Sequence, residues 1–278
     1  MARPYVPRTR LTGATGANTI NYWFGGGFNA VFVPTDIANL KAWYDASDTA
    51  TITVSGTEVT QWNDKSGNAY NLTQGTSSLR PQSNTRTQNG LNAIDFDGSN
   101  DVLNAATASN WTFLSNTSGA TVFVTVFADT ASDARYLWST FGGSFGYVGS
   151  YGSVLGNDNT SIGSAVGNGA LAAMYLNTST PVATDNTAFT ITAQYDLGKA
   201  TANQRGYLAK NGGTQVNNNT ATDAASASAP QTPLGVGGLP SFSESWDGLL
   251  CEMIIYNAVL NATDRGKVET YLAAKWGI

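Results

Sequence analysis

From Asp36 onward, short stretches of β-branched and aromatic residues recur between clusters of Gly, Asn, Asp and Ser, a pattern that predicts strands joined by turns. The clearest are TVFVTVFA at 121–128, FTITAQYD at 189–196, RGYLAKNG at 205–212 and LGVGG at 234–238. In the first, Val122, Val124 and Val126 fall on one face and Phe123 and Phe127 on the other, so that strand should be covered on both sides. The second alternates. Asn211-Gly212 supplies the positive φ angles of a tight turn. Helical periodicity is confined to the C-terminus. There Asn261 is placed to cap a first turn, Asp264 follows three residues later, and Val268, Tyr271, Leu272, Lys275 and Trp276 recur at helical spacing before Gly277. Strands separated by turns, with one helix, predict an all-β sandwich or barrel.

The first 34 residues break this pattern. They are rich in Thr, Gly, Asn and Arg, and Arg3, Arg8 and Arg10 are the only charged side chains before Asp36. Within YWFGGGFNAVF, the aromatics Tyr22, Trp23, Phe24, Phe28 and Phe32 would each bury about 150–250 Å² if covered. Two destinations are open to them, the chain's own sandwich or a neighbouring subunit. Residues 1–34 are therefore read as an anchoring arm and 35–278 as a single sandwich domain. The polar low-complexity stretches at 115–120 and 217–230 read as surface loops.

Composition narrows the partners. The chain has 278 residues, 41% hydrophobic and only 12% charged, so a sizeable core is expected and solubility rests on neutral polar residues. A net charge of −5 argues against nucleic acid, which demands clustered Lys and Arg. No run approaches the length of a membrane span, and no apolar signal segment follows the basic N-terminus. The single cysteine, Cys251, excludes an intrachain disulfide and reads as a packing residue in GLLCEMIIY.

Four segments in order resemble the concanavalin A-like lectin and glucanase superfamily, in particular its laminin-G-like branch found in bacteriophage virion proteins. They are LKAWYDASDTATITVSGTEVTQWNDKSGNAYNLTQ at 40–74, LNAIDFDGSNDVL at 91–103, the Asn211-Gly212 turn, and WDGLLCEMIIYNAVLNATDRGKVETYLAAKWGI at 246–278. The resemblance spans about residues 36–278 and implies a jelly-roll sandwich of two antiparallel sheets, not an activity. Read physically, Trp43, Trp62, Phe96, Trp246 and Tyr256 are expected between the sheets. Asp64, Ser66, Gly67, Asp97 and Gly98 are turn residues.

The chain has no histidine, which removes the commonest general base and any Ser-His-Asp arrangement. Carboxylate chemistry remains, but the glutamates Glu58, Glu244, Glu252 and Glu269 do not form the Glu-x-Asp-x-x-Glu pattern of the superfamily's glucanases. No catalytic residue is expected, and Glu252 is read as pairing with a turn or a basic residue. Asp95, Asp97 and Asp101 in DFDGSND are candidate calcium ligands or an ordinary Asp-Gly turn; no other cofactor is expected. Tyr136, Trp138, Tyr147 and Tyr151 in RYLWSTFGGSFGYVGSYG are candidate glycan or interface residues, though their spacing also suits a strand core. The expectation is a non-enzymatic virion component, a capsid decoration or tail-associated knob. It would be present in multiple copies and anchored to other virion proteins by Arg3, Arg8, Arg10, Tyr22, Trp23, Phe24 and Phe28. A host glycan is a candidate partner, and a free-standing lectin-like module or a tail-fibre receptor-binding protein is the alternative.

Overall fold

A computed structural model of the protein describes residues 32–130, 135–141, 151–158, 161–168, 172–177, 184–213, 224–225, 227–238 and 245–278. The chain divides into two units, 1–32 and 33–278. The arm residues Arg3, Arg8, Arg10, Tyr22, Trp23, Phe24 and Phe28, and Tyr147, lie outside the described residues.

The second unit is a sandwich of two antiparallel sheets. Numbered in chain order, one sheet runs β1 (Leu40–Asp45), β17 (Asp247–Tyr256), β9 (Ala120–Ala128), β14 (Thr187–Tyr195), β15 (Gly206–Lys210). A short strand, β7 (Ile94–Asp97), pairs with the first half of β17, and β1 with its second half. The other sheet runs β13 (Ala172–Asn177), β12 (Ser161–Asn168), β11 (Tyr151–Asp158), β10 (Arg135–Ser139), β16 (Gly235–Val236), β8 (Leu103–Asn104), β4 (Leu72–Thr73), β3 (Glu58–Trp62), β2 (Ile52–Ser55). A small hairpin of β5 (Thr87–Gln88) and β6 (Leu91–Asn92) stands apart. The fold class is as expected, a β-sandwich with one C-terminal helix, α1 (Ala262–Trp276).

Between the sheets lie Tyr44, Trp62, Phe96, Val122, Val124, Val126, Trp138, Val236, Trp246, Met253 and Ile255. The indole N–H groups of Trp62, Trp111, Trp138 and Trp246 are buried with no hydrogen-bond partner among the described residues, so these rings act as pure packing volume. Strand β9 is covered on both sides, as its two-faced pattern predicts: the valines face the other sheet and Phe123 lies edge-on to Tyr256 on the opposite face.

That opposite face is roofed by α1. Asn261 caps the helix, its Oδ1 accepting from the Asp264 backbone N–H at 2.9 Å, and Gly277 ends it at φ 72°. Val268, Leu272 and Trp276 are buried beneath it, each worth about 1.5–3 kcal/mol. Here the sequence expectation needs correction. Trp62, Phe96 and Trp246 do fill the inter-sheet space, but Trp43 and Tyr256 lie outside that cluster. The Tyr256 hydroxyl donates to the Pro34 carbonyl at 2.9 Å and the Trp43 indole donates to Glu252. Alternation along a doubly covered strand cannot say which apolar layer a ring joins. The LGVGG stretch also yields only the two-residue strand β16, because Gly237 takes φ 83° and turns the chain away.

The turn residues behave as their chemistry requires. Asp64 accepts from the Trp43 and Ser66 backbone N–H groups on one oxygen and from the Ser66 hydroxyl and Tyr70 N–H on the other. Asn211 and Gly212 take φ of 50° and 63°, the left-handed pair that a tight turn needs.

Candidate functional site

A dense polar cluster lies where β1, β17 and α1 meet. A bulge creates it. Leu250 pairs with Val126 and Glu252 with Thr125, leaving Cys251 as an extra residue. Strict alternation would send Glu252 to the same side as Leu250, into the inter-sheet core. The inserted residue reverses the parity, so Met253 and Ile255 enter that core and Glu252 faces α1.

Four donors converge on the fully buried Glu252 carboxylate. Oε1 accepts from Trp43 Nε1 at 2.7 Å and the Tyr271 hydroxyl at 2.8 Å; Oε2 accepts from Lys275 Nζ at 2.7 Å and Trp276 Nε1 at 2.8 Å. Lys275 Nζ also reaches Asp45 Oδ1 at 2.7 Å. Asp45 in turn accepts from Lys65 Nζ at 2.9 Å on Oδ2 and from the Ser47 hydroxyl at 2.6 Å on Oδ1. Lys65 stands 4.4 Å over the Trp43 ring and pairs with Asp48. Burial pushes the Glu252 carboxyl up, the Asp45 charge adds to this, and Lys275 and Trp276 pull only part of the way back. Burial also acts on Asp45, but the charges of Lys275 and Lys65 outweigh it and hold that carboxyl below the ordinary range. Glu252 thus pairs with a basic residue, as the sequence reading held. The Cys251 thiol beside it is buried and pushed far up by burial, an inert packing group.

The candidate calcium residues are put to separate uses. Asp95 pairs with Arg86 at 2.9 Å, and Arg86 forks onto Asp129 at 2.5 and 2.7 Å. Asp97 Oδ1 accepts from the Ser99 N–H at 2.8 Å, closing the turn at Gly98. The buried Asp101 accepts from the Asp97 N–H at 3.0 Å, and burial raises its pKa to about 6. Among the described residues, no group of three acidic or cysteine side chains is placed to share a metal ion.

The candidate surface rings separate. Trp138 is wholly buried between the sheets, edge-on to Tyr195 at 6.1 Å, and so leaves the set of residues that could meet a ligand. Tyr136 is half-buried and packs with Phe141 and Ala165 apart from the main core. It pairs with Gly156, and Gly156 with Gly163, while Ala165 is flanked by Val154 and Tyr175. Tyr151 begins β11 opposite Asn168. A register shift between Tyr136 and Trp138 separates the fates of the two rings, and nothing in the residue spacing announced it. Sequence reasoning also missed Tyr70, a half-buried ring with Lys41 4.2 Å over its face, because NAYN carries no strand or turn signature of its own.

No family model matches the chain, and no curated protein does. Solved structures do. The chain is similar to Trypanosoma rangeli sialidase, with a TM-score of 0.54 at 13% identity over 86% of this chain and 33% of that one. It is similar to the same enzyme in complex with 2,3-difluoro-KDN, with a TM-score of 0.56 at 15% identity over 91% and 35%. The Ruminococcus gnavus IT-sialidase CBM40 bound to α2,3-sialyllactose aligns at a TM-score of 0.49 and 15% identity, over 67% and 96%. The chain spans about one third of the length of the sialidase chains it matches. At these identities the likeness is one of fold, and it places the chain among the jelly-roll-like β-sandwiches.

Proposed function

We propose that the protein is a non-catalytic, lectin-like module that binds glycans on the outer face of its larger sheet. The observation that carries this reading is the ground around Tyr136. A half-buried aromatic ring packs beside the buried Phe141 and Ala165 on that sheet, so the part of the phenol left exposed offers a face on which a sugar ring could stack. Trypanosoma rangeli sialidase, which shares the fold, was solved in complex with sialic acid, which makes acidic sugars one ligand class to test beside neutral ones. Catalysis is disfavoured by where the acids are spent. Sialidases use a tyrosine nucleophile. The Tyr271–Glu252 pair lies under α1, with burial and the Glu252 charge pushing the phenol far up.

The full chain should bind a subset of neutral or sialylated glycans on an array, and Tyr136→Ala should weaken that binding at least about tenfold, roughly 1.4 kcal/mol. Undiminished binding by the variant, or release of sugar from the array, overturns the reading.

A second reading, attachment to a virion, is favoured by the charge division of the chain: three arginines and no acid precede Asp36, and the chain divides into units at 32/33. Under it the arm anchors and the sandwich displays. Particles lacking the protein should then co-sediment the full chain and not a version without residues 1–34.

A further inference from the structure

The cluster of Lys275, Asp45 and Glu252 holds more than an ion pair requires. An amine and two carboxylates are packed together largely out of water: Asp45 is 4% exposed, Glu252 0% and the Lys275 side chain 13%, and the indoles of Trp43 and Trp276 both donate to Glu252. Lys275 Nζ touches Asp45 Oδ1 and Glu252 Oε2, each at 2.7 Å, so the Asp45 carboxyl carbon lies one bond beyond a contacted oxygen. Fixed neighbours of this kind react with effective concentrations far above any attainable in solution.

We propose that Lys275 and Asp45 become joined by an intramolecular isopeptide bond, with Glu252 carrying the protons between them. The step balances without any co-reactant. The ammonium of Lys275 and the carboxylate of Asp45 condense to an amide and one water. The Nζ–Cγ bond forms, one Cγ–O bond breaks, and the departing oxygen leaves with two of the three protons that began on Nζ. Glu252, 2.7 Å from that nitrogen, accepts a proton and returns it to the leaving oxygen. Burial raises its carboxyl, which makes it a stronger proton acceptor than a solvated glutamate. The negative charge that builds on the Asp45 oxygens as the carbon becomes tetrahedral meets preplaced donors: Lys65 Nζ at 2.9 Å on Oδ2, and the Ser47 N–H at 3.1 Å and hydroxyl at 2.6 Å on Oδ1. Burial of the two carboxylates limits the water that could drive the reverse hydrolysis. Lys275, Asp45, Glu252, Lys65 and Ser47 thereby acquire roles in one reaction: nucleophile, electrophile, proton carrier and charge stabilisers.

The test is the mass of the intact full chain after denaturation. The expected result is a chain one water lighter than its sequence. Trypsin should then release residues 42–65 joined to residues 268–278, because an acylated Lys275 is no longer a cleavage site. Lys275→Arg, which keeps the charge but is not expected to form the bond, should have full mass and release 42–65, 268–275 and 276–278 as separate peptides. Glu252→Gln, if folded by circular dichroism, should form the link at least tenfold more slowly. Wild-type protein that is folded yet retains full sequence mass after prolonged incubation carries an ion pair only and overturns the proposal. A link found at Glu252 in place of Asp45 overturns the assignment of roles.

Discussion

Glu252 is surrounded by groups that all donate to it, so losing its carboxylate leaves two buried indoles without their acceptor and Lys275 with Asp45 as its carboxylate. Glu252→Ala should destabilise the sandwich by about 3–5 kcal/mol, the cost of breaking a buried hydrogen-bonded charge network, read as a fall in the urea midpoint. Asp101 has the opposite sign. Its folded pKa of about 6 lies above the ordinary carboxyl, so the native state binds that proton more tightly than the unfolded chain does. Its contribution to stability therefore declines as pH rises from about 4 to about 6 and stays unfavourable above that. Asp101→Asn keeps an acceptor for the Asp97 N–H and should stabilise the protein by roughly 1–2 kcal/mol at pH 7, a gain that vanishes by pH 4 in paired denaturation curves. Residue chemistry was legible in the sequence where it is local. Asp64 and Asp97 bond to backbone a few residues away, and their turns follow from side-chain length alone. The partners of Glu252 come from two segments, β1 and α1, and Trp43 lies 209 residues from it along the chain, which no local pattern reveals.

At the scale of elements, the helix was legible from cap to cap because capping and periodicity are local signals, and Asn261→Ala should cost about 1 kcal/mol of stability in thermal unfolding. The bulge at Cys251 was not legible, since an extra residue in an apolar run looks like one more apolar residue. Its importance can be separated from that of its side chain. Cys251→Ala removes only a buried sulfur and should cost about 1–2 kcal/mol, while insertion of a second residue beside Cys251 shifts the parity once more, drives Glu252 towards the inter-sheet core and should abolish soluble expression. Gly237 is a second fixed point. A Cβ there would overlap the Phe96 ring, and φ 83° already disfavours any other residue. Tyr136 and Trp138 on the large sheet illustrate the same limit, because a register shift, invisible in spacing, puts Trp138 in the core and leaves Tyr136 half-exposed.

For the molecule as a whole, residues 33–278 contain a complete core and should unfold in a single calorimetric transition when expressed alone. The sandwich was legible because alternation, turn residues and one capped helix all agree; what it binds was not, because the ground around Tyr136 is assembled from strands brought together only by folding. One feature also governs how the unit answers a mechanical load. Strand β1 lies at the edge of its sheet, so tension applied at Val33 would peel it from β17 pair by pair, beginning at Leu40 and Tyr256, the geometry in which hydrogen bonds yield one at a time. The last pair to open is Asp45 with Glu252, and Lys275 grips both carboxylates from α1. The weakest direction of the sandwich therefore ends at a clasp, and rupture would be resisted at the far end of the strand, with the helix sharing the force.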